Sequence, residues 1–142
     1  MSTNSDTAEN QLKVVIDTNI LVSAIAFGGK PAEVLLLVTQ EKIQAVTSSV
    51  LLTELEETLI KILDLSEGNV QLALEEIKDE FRIVQPRIAI KASRDEDDNR
   101  VIEAALEGNC NYIITGDKDL LDLKTFKNIK IVTADQFLNT LE

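Results

Sequence analysis

The sequence predicts an α/β protein: a parallel sheet of about five strands with helices over both faces. Two observations carry that prediction. Short β-like runs alternate with longer stretches of helical periodicity, the pattern of successive β-α-β units. The first, fourth and fifth runs are also rich in Ile and Val, as strands buried on both sides of a parallel sheet are.

In chain order the strands are expected at 13–17 (KVVID), 43–47 (IQAVT), 82–86 (RIVQP), 111–115 (NYIIT) and 129–133 (IKIVT). Helices are expected over 19–27, 31–42, 49–63, 66–81, 97–108, 117–122 and 134–141. Gly28-Gly29-Lys30-Pro31 stops the first helix and starts the second, with proline at an early helical position. Residues 1–12 are polar, lack the charged and apolar regions of a signal peptide, and read as a disordered tail ahead of a single domain, 13–142. At 142 residues one domain with a sizeable core is the natural division.

Composition removes several chemistries. The chain has no histidine, which excludes Ser-His-Asp and Cys-His nucleophiles, histidine-based zinc sites and histidine acid–base catalysis. Neither a GxxxxGK[ST] phosphate loop nor a GxGxxG turn is present. The lone Cys110 rules out an intramolecular disulfide and suits a reducing cytoplasm; beside the apolar YIIT run it reads as a small core residue. No apolar run reaches the ~18–20 residues of a membrane span. A net charge of −11 argues against a nonspecific nucleic-acid coat protein. The chemistry is left to carboxylates, amides, hydroxyls, lysine and arginine.

In open parallel sheets ligands gather beyond the carboxyl ends of the strands. Asp17 closes the first strand, between two apolar stretches where an unpaired charge is costly to bury. It either caps the following helix or holds something that offsets the cost; Thr18 or Asn19 could cap without a charge. Asp117 follows the fourth strand in TGDKDLL, where a turn or helix-cap role is equally open, and Asp119 reads as a helix-start residue. Asp95, Glu96, Asp97 and Asp98 open a helix whose dipole favours acids, and Asp95 suits its N-cap. Asp98, however, lies within the apolar stripe of Val101, Ile102, Ala105 and Leu106, and Asp97 stands near its edge. In LLTELEETLIKIL, Glu57 falls opposite the apolar stripe, while Glu54 and Glu56 flank it and spacing does not choose between them. Four acidic stations at one sheet edge repel one another unless a cation lies among them, and oxygen-only ligands favour Mg2+ or Mn2+ over softer metals. That apparatus suits attack of activated water on phosphorus.

The segments VVIDTNILVSA, LLTELEETL, DEDDNRVIEAA and YIITGDKDLL, closed by IKIVTADQFL, resemble the PIN-domain nucleases across about residues 13–138, and in particular their toxin–antitoxin members. The resemblance implies a three-layer α/β/α sandwich and a metal-dependent endoribonuclease acting on single-stranded RNA. It implies an acidic quartet of Asp17, Glu54, Asp98 and Asp117, so choosing Glu54 over Glu56, and a cognate antitoxin as partner. Asn19, Asp97, Thr115 and Asp119 fall where such proteins place supporting polar groups; Asn19 and Thr115 could orient a carboxylate or a water by hydrogen bonds. Arg94, Arg100 and Lys118 lie beside the acids, to bind substrate phosphates or simply to balance charge.

Two other classes compete. One is a PIN-like module that binds RNA or protein without cutting. The other is an aspartate-phosphorylated α/β protein, which fails because Asn19 replaces the second Asp a phosphatase needs and no acidic pair ends the first strand. Helices 19–27 and 31–42 carry more apolar surface than one sheet face covers, which predicts a homodimer or antitoxin interface.

Overall fold

The structure, a computed structural model, describes residues 11–141. Most of the expected tail and Glu142 lie outside that range. Leu12, within the expected tail, is instead the first residue of β1, and Gln11 Nε2 donates to the Glu41 carbonyl at 2.6 Å.

The strands are β1 (Leu12–Ile16), β2 (Ile43–Ser48), β3 (Arg82–Val84), β4 (Tyr112–Ile114), β5 (Thr125–Phe126) and β6 (Ile129–Val132). The helices are α1 (Thr18–Ala26), α2 (Gly29–Thr39), α3 (Ser49–Leu63), α4 (Glu67–Glu80), α5 (Glu96–Glu107), α6 (Lys118–Leu123) and α7 (Ala134–Thr140). All five expected strands and seven expected helices are present. The sheet has six strands in the order β3-β2-β1-β4-β6-β5, parallel except for β5. β5 escaped the sequence reading because two residues are too few to show a period; it forms an antiparallel edge hairpin on β6, with Phe126 opposite Ile129.

β1 is central because its residues are apolar on both faces. Val14 and Ile16 point into a core shared with α1, α2, α3, α4 and α7, and Val15 points into the core beneath α5 and α6. A one-residue slip of β1 would exchange those two faces, so its register is well specified; Val15 pairs with Val46 of β2 and Ile113 of β4. The result is the three-layer α/β/α sandwich. Phe137 and Tyr112 meet edge to face, with centroids 5.2 Å apart, and close the core under α7.

Helix ends follow the local sequence. Gly28 and Gly29 both adopt positive φ, 77° and 69°, which breaks the chain between α1 and α2 without the strain a side chain would bring. Ser48 caps α3 through the Leu51 N–H, and Thr133 with Gln136 forms a reciprocal capping box on α7. At the end of α5, Gly108 lets the helix approach β2: a Cβ there would stand 2.8 Å from Val46 Cγ1. Cys110 is buried and its thiol is pushed up to about 12 by burial, in keeping with its reading as core. Among the described residues no single helix is long and apolar enough to cross a membrane.

The chain passes from β1 to β2 and β3 on one side, and later returns to β4 and β6 on the other. The order therefore reverses at β1 and β4, and a crevice opens beyond their carboxyl ends. Asp17 N–H reaches the Ile114 carbonyl at 2.9 Å and joins its two walls.

Candidate metal centre

Asp17 is the first residue past β1 and is only 7% exposed. It stands at the N-cap position of α1, but its carboxylate makes no capping hydrogen bond, so the simple cap alternative is not what the fold uses. Instead Thr115 Oγ1, from the end of β4, donates to Asp17 Oδ2 at 2.7 Å. Burial raises the Asp17 pKa above the usual carboxylate range, against the pull of the Thr115 and Thr18 hydrogen bonds; Asp117 and Asp95 push it further up.

Glu54 lies in the second turn of α3, facing the same crevice. Thr18 Oγ1 donates to its Oε1 at 2.5 Å, and burial raises its pKa, opposed by that bond and assisted by Asp97, Asp17 and Asp95. Glu56 turns the other way, accepts from Gln71 of α4 at 3.0 Å, and does not line the pocket that Glu54 lines. Glu57 is exposed, as the sequence reading has it.

Asp98, in the first turn of α5, is 4% exposed. Ser93 Oγ donates to its Oδ2 at 3.1 Å. Its pKa is raised to about 7, first by burial and then by hydrogen bonding and charge repulsion from Asp117. Asp117 follows β4 and precedes α6. It caps α6, with Oδ1 accepting from Asp119 N–H at 2.8 Å, and its carboxylate also meets Asp98.

These four acids line one small pocket of about 220 Å3 together with Thr18, Asn19, Thr58, Asp95 and Asp97. Asn19 and Asp97 are exposed on its wall. Thr115 is wholly buried beneath it and binds both Asp17 and the Asp117 N–H, the latter at 3.0 Å. Asp119, Arg94, Arg100 and Lys118 are not among the lining residues. Asp119 faces Arg94 at 3.7 Å, and Arg100 is held by Glu103 at 2.9 Å and Glu96 at 3.7 Å. Arg100 instead borders an open groove of about 570 Å3 between α3 and α5, which meets the acidic pocket at Glu54, Thr58 and Asp97.

Three residues of this region were not recognised from sequence. Asp95 does cap α5, accepting from Asp97 N–H at 2.9 Å. Its carboxylate also supplies an oxygen that, with one from Asp98 and one from Asp117, forms a set within 4.8 Å of one another. A satisfactory cap role concealed the second one. In the sequence Thr18 reads as a helix cap alone, and Ser93 carries no signal, since the two partners of its hydroxyl are set by the path of a loop. The donors are all oxygen and mostly acidic, a set that fits a hard divalent cation and not a soft one.

An α/β/α protein with clustered carboxylates at the reversal point of its parallel sheet is thus defined. The PIN domain family profile matches residues 13–119, and the chain belongs to that family. It is 34% identical over 146 residues to the uncharacterized protein MJ1680 of Methanocaldococcus jannaschii, with 93% of each chain covered. The fold is also similar to a chain of the crystal structure of VapBC2 from Rickettsia felis bound to a DNA fragment from their promoter. That match has a TM-score of 0.57 and 18% identity, and covers 84% of this chain and 97% of the other.

Proposed function

We propose that this PIN-domain protein is an endoribonuclease, dependent on Mg2+ or Mn2+, that cleaves single-stranded RNA by water attack on phosphorus. The observation that carries the reading is the convergence of Asp17, Glu54, Asp98 and Asp117 on one pocket at the sheet's reversal point. In this reading those four carboxylates, with Asp95 beside them, hold the cation. Such an ion supplies Lewis acidity toward a phosphodiester and acidifies water. The protein's own part is orientation. Thr115 and Thr18 fix the acceptor oxygens of Asp17 and Glu54, while Ser93 fixes Asp98. An acidic lining repels bare phosphate, so RNA approaches only once the charge is neutralised; Arg94, Arg100 and Lys118 are assigned as phosphate contacts around the pocket.

The proposed partner is a cognate antitoxin, by likeness to the VapBC2 fold, and the proposed setting is the cytoplasm, in line with a single cysteine. We assign the α1–α2 corner to a homodimer interface: Phe27 is 82% exposed and Leu36 is 52% exposed.

The test is cleavage of a labelled single-stranded RNA with Mn2+, Mg2+ or EDTA, beside Asp98→Asn. Metal-dependent cutting that the variant loses supports the reading. Mn2+ binding without cutting would make the chain a binding module, and neither binding nor cutting would overturn the metal centre itself.

A further inference from the structure

Residues 85–95 form an irregular strap between β3 and α5, and it carries Asp95 to the acidic pocket. One face of α5 holds it down through side chains spaced four residues apart. Glu107 accepts from the N–H and the Nε of Arg87, both at 3.2 Å. Glu103 accepts from Ile90 N–H at 2.9 Å. Asn99, only 1% exposed, makes the densest clamp. Its Oδ1 accepts from Ala92 N–H at 3.1 Å and Ser93 N–H at 2.8 Å, and its Nδ2 donates to the Ser93 carbonyl at 3.0 Å. Two donors at one end and an acceptor at the other call for a carboxamide. Aspartate would set an oxygen against the Ser93 carbonyl, and leucine would leave all three backbone groups unpaired.

The clamp leads directly to the acids. Ser93 Oγ donates to Asp98 Oδ2 at 3.1 Å and accepts from Asp95 N–H at 3.2 Å. Asp98 is the neighbour of Asn99 on the helix, so one turn of α5 holds an acid and also the loop that brings a second acid against it.

We propose that Asn99 is a positioning residue of the acidic centre: through its three hydrogen bonds to the strap it sets Ser93 and Asp95 against Asp98 and Asp117. The assignment rests on the metal-centre reading above. Of these three α5 side chains, Glu103 and Glu107 hold the remote part of the strap and Asn99 holds the part that meets the acids, which supplies an internal control.

Two measurements on the full chain test it: amide exchange by NMR without metal, and Mn2+ affinity by titration. Asn99→Ala is expected to speed exchange at Ala92, Ser93 and Asp95 and to weaken Mn2+ binding about tenfold, the usual effect of removing a group that orients a ligand. Glu107→Gln should leave Mn2+ affinity within about twofold, because its site is remote from the pocket. Ser93→Ala should weaken Mn2+ binding and Ser93→Thr should restore it; this pair decides the matter if Asn99→Ala does not fold. Unchanged exchange in Asn99→Ala, Mn2+ binding no weaker than in Glu107→Gln, or no recovery in Ser93→Thr would each overturn the proposal. If the wild type binds no Mn2+, the metal reading falls, and exchange at Asp95 still decides whether Asn99 positions the strap.

Discussion

Thr115 and Asp17 lie 98 residues apart in the chain and 2.7 Å apart in space, hydroxyl to carboxylate. They directly follow β4 and β1, adjacent parallel strands, and the same hydroxyl accepts the Asp117 N–H. One buried threonine thereby sets the spacing of two acids that come from different strands. Removing it with Thr115→Val leaves the volume nearly unchanged but strips a buried carboxylate of its donor. The expected loss is about 1–3 kcal/mol of stability, read by urea unfolding, with a larger relative loss in RNA cleavage. Thr115→Ser should recover most of both. Wild-type stability and cleavage in the valine variant would show that the bridge holds nothing in place.

Asp98 makes the metal-free protein sensitive to pH in a definite direction. Its pKa is raised in the folded state, to about 7 from 3.8. The folded chain therefore holds a proton that the unfolded chain releases near pH 4. That contribution to stability is complete below pH 4 and is lost as pH rises through about 7; the raised pKa values of Asp17 and Glu54 act in the same direction. In EDTA, unfolding midpoints should fall between pH 5 and pH 8, and fall less in Asp98→Asn, which cannot ionise there. Mn2+ at a hundred times its Kd should add about 2.7 kcal/mol back to the wild type at pH 8. Equal pH dependence in variant and wild type would remove Asp98 as the source.

Glu54 and Glu56 offer a test of placement, since they differ by two residues on one helix. Glu54→Gln keeps the bond from Thr18 but lowers the pocket's charge, and cleavage should fall at least about a hundredfold, as for loss of a group acting in the transition state. Glu56→Gln, facing Gln71 on α4, should cleave within about twofold of the wild type. Equal losses in both would place the effect in α3 as a whole rather than in the pocket.

The α1–α2 corner is open to a simple measurement. Light scattering over a concentration range should give a dimer for the wild type and a monomer for Phe27→Asp, which puts a charge on the most exposed apolar side chain of the corner. A wild type that stays monomeric throughout would remove the homodimer, leaving that surface for another partner.

Local pattern was enough for the helices, the five parallel strands and the suspicion that falls on Asp17 and Asp98. Each depends on near neighbours: β1 is apolar at successive positions, and Asp98 sits in a stripe with Val101 and Ile102 that only a helix makes continuous. The choice of Glu54 over Glu56 came from resemblance, not from periodicity, because both flank the stripe equally. The folded chain gives them different surroundings, setting α1 and its Thr18 against one side of α3 and α4 with its Gln71 against the other. Asp95 and Ser93 were hidden for a related reason. A cap residue looks complete when read alone, and its second role exists only where the strap, α5 and the end of β4 meet. Periodicity reports which way a side chain faces on its own element. What it faces is decided by packing between elements distant in sequence, and there the tertiary structure alone brings the acids together.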